Sequence, residues 1–243
     1  MKASLIYIIC MCILLSCSTV KEDELSVLVV RGGHSYDTPD FEIMSSTLDG
    51  IHADLVLNAH FYQMKTADVK AKYDAVLFLN QNKHYPEYSW NKDKYLALSK
   101  QGVGMVFLHF TLSSQPEWDE YHDLIGGKWY LKNYTQDESL HSTYFTDMTL
   151  DIEVLDKTHP VTKGLDNFIL KDAFYGNIYM DPSVHPLLAT NHPDVSKVIA
   201  WQHSYNQAKI VYIMPGFTKD AYTNPSYKKL ISNALHYVGL ANN

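Results

Sequence analysis

Short apolar runs rich in β-branched residues alternate with helix-like patterns through the first half of the chain. Each apolar run is continuous, which is typical of parallel strands covered on both faces. Repeated strand-then-helix units predict a parallel, doubly wound sheet. The predicted strands are SVLVV, ADLVLNA, DAVLFLN and GMVFLH, and the predicted helices lie near residues 39–48 and in TADVKAKY, NKDKYLALSKQG and PEWDEYHDLIGG.

The second half contains strand-like segments with short connections, which predict an antiparallel or mixed part of the sheet. The clearest helix comes last, because six apolar residues recur at helical spacing and fall on one face. No repeat or linker interrupts the pattern, so we predict one domain. The strand segments are MTLDIEVL, HPLLATN, KVIAWQHS and KIVYIMPG, and the helix face consists of Tyr227, Leu230, Ile231, Ala234, Leu235 and Val238.

The first residues have the pattern of an export signal, since Lys2 is followed by an apolar run to Leu15. The run is shorter than the roughly 20 residues that a transmembrane helix needs. It ends in LLSC, which resembles the lipobox of bacterial lipoproteins and implies a lipid on Cys17. An ordinary secretory signal and an uncleaved anchor are the alternatives. We therefore expect a signal peptide at 1–16, a tether at 17–25, a domain at 26–240 and a lipid-anchored location in the bacterial cell envelope, periplasmic or surface.

Cysteine use and charge narrow the chemistry. All three cysteines, Cys10, Cys12 and Cys17, lie in the N-terminal segment, so the domain has no thiol to act as a nucleophile, disulfide partner or metal ligand. The 27 acidic residues outnumber the 20 basic ones, and no basic stripe of the kind that binds nucleic acid is present. The 18 tyrosines and 4 tryptophans suit either sugar stacking or an aromatic core.

Several motifs occur together in a specific order across about residues 26–238. They are VLVVRGGHSYD, KQGVGMVFLHF with EWDEYHDLIGGKW, LDKTHPVTKGLDNFILKDAFY, IAWQHSYNQAKIVYIMPGF and YTNPSYKKLISNALHYV. In this order the chain resembles the ThuA-like family, named for trehalose utilisation. The resemblance implies a flavodoxin-like, class I glutamine amidotransferase-like three-layer α/β sandwich with a mainly parallel central sheet. It also implies a role in carbohydrate metabolism.

The chain departs from the family pattern at two positions. Where family members carry Asp-Glu-Leu-Tyr or similar, Asp172 and Tyr175 remain but Ala173 replaces the glutamate. Where members have Gly-His after the last strand, this chain has Gly216 followed by Phe217. The chain therefore lacks one carboxylate and one imidazole that the resemblance would imply.

Histidines follow two of the predicted parallel strands. His34 comes after the first strand and His109 ends the fourth, so both are expected in the crevice at the carboxyl ends of the strands; His60 follows the second strand. In amidotransferase-like relatives the position of His109 carries the nucleophile. A histidine there excludes a cysteine mechanism at this position, and Ser113 lacks the G-x-S-x-G setting of a serine hydrolase.

Three roles remain open for these histidines. They could perform general acid–base chemistry, because imidazole titrates near neutral pH. His34, His109 and His141 could instead hold a divalent metal such as Zn, since three neutral imidazoles leave a position open for water or substrate. The third role is structural hydrogen bonding. The spacing does not decide among them, and no other cofactor is indicated.

Other residues complete the candidate site. Asp172 and Tyr175 could act as acid and base or bind sugar hydroxyls, and Gly33 would allow a ligand to approach the backbone closely. Asp172 has no partner carboxylate, so the two-carboxylate mechanism of glycosidases is poorly supported. The residues that could form a sugar-stacking platform are Trp118, Trp129 and Trp201.

We expect an exported lipoprotein that acts on carbohydrates by hydrolysis, isomerisation or elimination on a sugar or keto-sugar. Such an enzyme would be a hydrolase, lyase or isomerase without a cysteine nucleophile. The alternative is a non-catalytic carbohydrate-binding or scaffold lipoprotein of a sugar-utilisation system. The expected partners are a carbohydrate or sugar derivative and, through the lipid anchor, the membrane. Nucleic acid is not expected as a partner, and the sequence is compatible with a homo-oligomer.

Overall fold

The computed structural model of the protein describes residues 24–82, 92–132 and 136–239. The expected signal peptide, Cys17 and the tether up to residue 23 lie outside the described residues. Within the described part of the chain, no helix combines the length and the apolar character needed to cross a membrane.

The strands form a nine-stranded sheet and a separate two-stranded ribbon. The strands are β1 (Leu25–Gly32), β2 (Ile51–Leu57), β3 (Ala75–Asn80), β4 (Gly104–Leu108), β5 (Gly127–Lys128), β6 (Thr143–Val154), β7 (Phe168–Gly176), β8 (Tyr179–Met180), β9 (His185–Ala189), β10 (Val198–Tyr205) and β11 (Ala208–Ile213). The large sheet has the order β2-β1-β3-β4-β11-β10-β9-β6-β7, and β5 pairs with β8.

Helices flank the large sheet and follow most of the predicted units. They are α1 (Thr38–Ser46), α2 (Asn58–Gln63), α3 (Thr66–Lys72), α4 (Lys92–Lys100), α5 (Asp119–Ile125), α6 (Lys219–Thr223) and α7 (Pro225–Gly239). The predicted C-terminal helix is confirmed as α7, and all six residues of its predicted apolar face are buried.

The parallel half of the sheet matches the prediction from the continuous apolar runs. β1 pairs in parallel with β2 and β3, β3 with β4, and β4 with β11. Every residue of β3 and β4 is buried, because helices and loops cover both faces. The order β2-β1-β3-β4 is that of flavodoxin-like folds, whose ligands bind outside the carboxyl ends of the strands.

The other half of the sheet is antiparallel, as the pattern of the second half predicted, so the sheet as a whole is mixed rather than mainly parallel. β11 pairs with β10, β10 with β9, β9 with β6 and β6 with β7, all in antiparallel fashion. The described strands of this sheet thus form as many antiparallel as parallel pairings. A tight turn reverses the chain between β10 and β11, with Asn206 at a φ of +53°, a conformation that asparagine tolerates better than most residues.

Candidate functional site

A cavity of about 220 Å³ lies where the carboxyl ends of β1, β3 and β4 meet the antiparallel half of the sheet. A larger groove of about 730 Å³ is lined by β6, the start of β7 and the loop after β9, and none of the candidate histidines lines it. The smaller cavity is lined by His34, Gln81, His109, Phe110, Ser113, Trp129, Tyr144, Tyr175 and Phe217. It therefore contains four of the residues selected from the sequence.

His109 holds an unusual backbone conformation at the end of β4. Its φ is +44°, a region that non-glycine residues seldom occupy and that often marks a functional position. The side chain is buried, and its Nδ1 lies 2.7 Å from the carbonyl oxygen of Met214. Because a carbonyl oxygen only accepts, Nδ1 carries the proton and donates it. Nε2 is then the ring nitrogen that can accept a hydrogen bond from a ligand.

Burial also determines the charge of His109. It lowers the pKa of the ring to about 3, with a further lowering from nearby His34 and an opposing contribution from the Met214 carbonyl. The imidazole is consequently neutral at any ordinary pH. His109 therefore offers a hydrogen-bond acceptor rather than a positive charge.

His34 lies at the mouth of the cavity, where its side chain is exposed. Its ring stacks on Phe110 with centroids 4.9 Å apart and planes 20° from parallel. Nδ1 lies 2.7 Å from the carbonyl oxygen of Ser35, so this nitrogen donates and Nε2 again has a free lone pair. The exposed ring therefore presents Nε2 as an acceptor at the mouth of the cavity.

Aromatic contacts continue from ring to ring around the cavity, and we call these residues the aromatic wall. Tyr175 is buried, and its centroid is 4.6 Å from both His109 and Trp129. Burial raises the pKa of the Tyr175 hydroxyl well above its usual value, which keeps the hydroxyl protonated. The aromatic wall consists of His34, Phe110, His109, Tyr175, Trp129, Tyr144 and Phe217.

Asp172 lies behind the cavity rather than in it. Its carboxylate is fully buried and accepts backbone N–H bonds from Gly216 at 2.5 Å, Phe217 at 3.2 Å and Thr218 at 2.9 Å. Burial raises the pKa of Asp172 to about 6, although these donors act in the opposite direction. The placement argues against the predicted catalytic role, because the oxygens face the loop. Asp172 instead positions the loop that carries Phe217.

The polar part of the cavity comes from two residues that the sequence analysis did not select for it. Gln81 Nε2 donates to Ser113 Oγ at 2.7 Å, and Ser113 Oγ donates to the carbonyl of Phe110 at 2.8 Å. Gln81 directly follows β3, so the strand-end argument that selected His34 could also have found it.

Gly33 has a structural role next to Gln81. Its φ is +81°, and a Cβ at this position would lie 1.8 Å from the carbonyl oxygen of Gln81. No side chain can occupy that space. The glycine therefore lets the His34 loop pack onto the end of β3, and it is not among the residues that line the cavity.

Two of the three tryptophans proposed as a sugar platform are core residues. Trp201 is fully buried, and its Nε1 donates to the Ile125 carbonyl at 2.9 Å. Trp118 is 5% exposed and packs against Tyr95 and Tyr121. Their ring faces are covered by protein, which contradicts the platform role. Trp129 alone of the three lines the cavity.

The predicted metal ligands do not come together. His141 lies in the loop before β6, where its carbonyl accepts from Asn177 at 3.1 Å, and it does not line the cavity. In the ranges that the structure describes, no three His, Cys, Asp or Glu side chains are grouped so as to hold a metal ion. The residues present therefore do not fit the predicted His34, His109 and His141 site.

Known proteins of similar sequence pattern and similar structure identify the family of the chain. A family model described as ThuA, trehalose utilisation, matches residues 26–238, which confirms the resemblance inferred from the motifs. A ThuA-like protein from Parabacteroides merdae is 15% identical with a TM-score of 0.72, and the match covers 89% of this chain and 90% of that one. A ThuA-like protein from Bacteroides uniformis is 18% identical with a TM-score of 0.67, covering 91% and 94%. No curated protein matches the chain.

The expected lipid-anchored envelope location is corrected by the same comparison. The similar solved structures include proteins that are named cytoplasmic. One of them, STM1381 from Salmonella typhimurium LT2, is 12% identical with a TM-score of 0.63 and covers 88% of this chain and 99% of its own.

Proposed function

The chain belongs to the ThuA family, named for trehalose utilisation, and on that premise we propose that it binds and acts on a small carbohydrate or keto-sugar in the cavity lined by His34 and His109. One observation carries the proposal. A buried, neutral His109 with its Nε2 lone pair available is enclosed by the aromatic wall beside an exposed His34. Such a site combines apolar faces for a sugar ring with acceptors for its hydroxyl groups.

The two histidines have different roles in this proposal. A general base works best when its pKa is near the working pH, and burial takes the pKa of His109 to about 3. His109 therefore accepts a hydrogen bond from a substrate hydroxyl and orients the sugar. His34, exposed at the mouth, moves the proton. The protonated hydroxyl of Tyr175 can donate to a substrate oxygen that gains negative charge.

The lining favours proton transfer at carbon over glycoside hydrolysis. Among the described residues that line the cavity none is a carboxylate, so the paired carboxylates of a glycosidase are missing. In a keto-sugar, His34 Nε2 would take the proton from the carbon beside the carbonyl. The C–H electron pair would form the enolate double bond, and Tyr175 would donate to the enolate oxygen. In isomerisation, the hydroxyl group on the deprotonated carbon passes its proton to the enolate oxygen and becomes the new carbonyl, and the former carbonyl carbon takes the proton back from His34. In elimination, the enolate electrons re-form the carbonyl and expel the β-substituent, which leaves with the proton held by His34.

The test is exchange of carbon-bound hydrogen in D₂O, followed by proton NMR with 2-keto and 3-keto hexoses and their methyl glycosides. Exchange reports proton abstraction even where no net product forms. We expect His34→Asn to slow exchange by about 10²-fold or more, in line with the loss of a general base, and His109→Asn to raise KM more than it lowers kcat. His60→Asn, a change at an exposed histidine in α2, is the matched control. Unchanged exchange in His34→Asn would refute the catalytic assignment.

A non-catalytic carbohydrate-binding protein is the second candidate. It is favoured by Phe217, which places an apolar ring 5.2 Å from His109 where the family pattern has a histidine. Saturable binding of a keto-sugar without hydrogen exchange, equal in wild type and His34→Asn, would select this candidate.

A further inference from the structure

We infer that the cavity selects a single, uncharged sugar ring, so that a second ring adds no affinity and phosphorylated or acidic sugars are excluded. The inference deepens the proposed function and rests on it. It draws on the size of the cavity, on the charges around it and on the position of Phe217.

Size limits the ligand to one ring. The cavity holds about 220 Å³, below the roughly 300 Å³ at which sites for drug-sized ligands begin. A pyranose ring with its hydroxyl groups is about half of a disaccharide, and only that half can be enclosed. Any second ring would lie outside the mouth, beyond the contacts of His109 and Tyr175.

Charge excludes anionic sugars. No Lys or Arg is among the described residues that line the cavity, and His109 is neutral. Three described cations close in sequence to the lining have partners: Lys128 pairs with Asp119 at 3.2 Å, Arg31 with Glu42 at 2.6 Å and Lys219 with Asp40 at 3.5 Å. An enclosed phosphate or carboxylate would lose its water without gaining a counter-charge from the described lining, which is strongly unfavourable.

The neutral polar groups match hydroxyl groups instead. Gln81, Ser113, the Tyr175 hydroxyl and His109 Nε2 supply donors and acceptors without formal charge. The aromatic wall covers the C–H faces of the ring. Asp172 adds no charge to the cavity, since its oxygens accept from the backbone of Gly216, Phe217 and Thr218.

Phe217 forms the side of the cavity between the two histidines and Tyr144. Its ring is half-buried and contacts His34 at 5.9 Å, His109 at 5.2 Å and Tyr144 at 6.3 Å between centroids. Truncating it would join the cavity to the surface beside Tyr144, which is 45% exposed. Phe217 is therefore the residue that sets the one-ring limit.

The experiment is calorimetric titration of the protein with matched ligands in the gluco, galacto and manno series. Each series includes the methyl glycoside, a disaccharide, the 6-phosphate and the uronic acid. In one of the three series, we expect the methyl glycoside and the disaccharide to bind with the same Kd within threefold. The 6-phosphate and the uronic acid of that series should bind at least tenfold more weakly. Phe217→Ala should tighten disaccharide binding relative to methyl glycoside by about tenfold. Phe168→Ala, at a half-buried phenylalanine lining the other groove, should not.

The outcomes separate the inference from the proposed function. Tenfold tighter binding of a disaccharide or an anion to the wild type would overturn the inference and leave a carbohydrate site in place. Absence of binding in all three series and with the 2-keto and 3-keto hexoses would overturn the proposed function itself.

Discussion

Replacement of His109 by asparagine should reduce the decrease in the free energy of unfolding that mild acid causes. Asparagine tolerates the positive φ of this position better than other polar residues, so the backbone can be kept. Asparagine, however, has no group that takes up a proton, whereas the buried His109 imidazole resists protonation in the folded protein. In the wild type, unfolding exposes His109 to water and allows it to take up a proton, so low pH favours the unfolded chain.

The sign and size follow from the pKa values. The pKa of His109 falls from 6.5 in the unfolded chain to about 3 in the folded one, so the unfolded chain binds more protons between these values. Stability is therefore full above pH 6.5 and is lost as the pH falls toward 3. A pH of 5 lies about 1.5 units below the pKa of the unfolded chain. At 1.36 kcal/mol per unit, this difference corresponds to a loss of about 2 kcal/mol in the free energy of unfolding.

Urea unfolding followed by circular dichroism at pH 7 and pH 5 measures this difference. The variant will be less stable at pH 7, by about 1–3 kcal/mol, because the hydrogen bond to Met214 is weakened. The informative quantity is the change between the two pH values, which should be about 2 kcal/mol smaller in His109→Asn than in wild type. His60→Asn should lose as much as wild type. Equal losses in wild type and His109→Asn would refute the buried, neutral assignment.

Three further changes test other parts of the structure by the same unfolding assay. Burial lowers the pKa of His122 to about 4, so stability is again lost as the pH falls below 6.5. His122→Leu should therefore reduce the loss of unfolding free energy between pH 7 and pH 5 by about 2 kcal/mol. Gly33→Ala should cost several kcal/mol or prevent folding because its Cβ would overlap a carbonyl oxygen at 1.8 Å. Gly50→Ala, at a φ of +68° where the added Cβ would only make an ordinary contact with His236 at 3.4 Å, should cost about 1–2 kcal/mol. Asp172→Ala leaves three backbone donors without their acceptor and should cost about 2–4 kcal/mol, while Asp166→Ala at a side chain 96% exposed should change stability by less than about 0.5 kcal/mol.

The parallel half of the fold could be predicted because its signals are local. Continuous apolar runs mark β3 and β4, and helical periodicity marks α7. The antiparallel half carried weaker signals, and β7 was not recognised as a strand at all. Its residues from Phe168 to Gly176 alternate only at the start and are then buried on both faces, so period-two patterning fails where the strand enters the core.

The sequence predicted the site residues that follow parallel strands. It did not predict those that reach the cavity through contacts between segments far apart in the chain. His34 and His109 follow β1 and β4, and the rule for open α/β sheets places both at one edge. Tyr144 and Phe110 also line the cavity, but no pattern in the sequence indicates that they belong to the same site as the histidines. Trp201 was misplaced because its position on β10 faces the interior, where its Nε1 has the Ile125 carbonyl as its partner.

The loop that carries Phe217 shows why the two halves form one site. From the antiparallel side, Asp172 of β7 accepts the backbone N–H groups of Gly216, Phe217 and Thr218. From the parallel side, Asp37 accepts the N–H of Lys219 at 2.6 Å. The same segment is thus held by the strand that supplies Tyr175 and by the loop that follows His34. These hydrogen bonds go to the backbone on both sides of Phe217, so an exchange of the Phe217 side chain would alter the shape of the cavity while the loop stays in place.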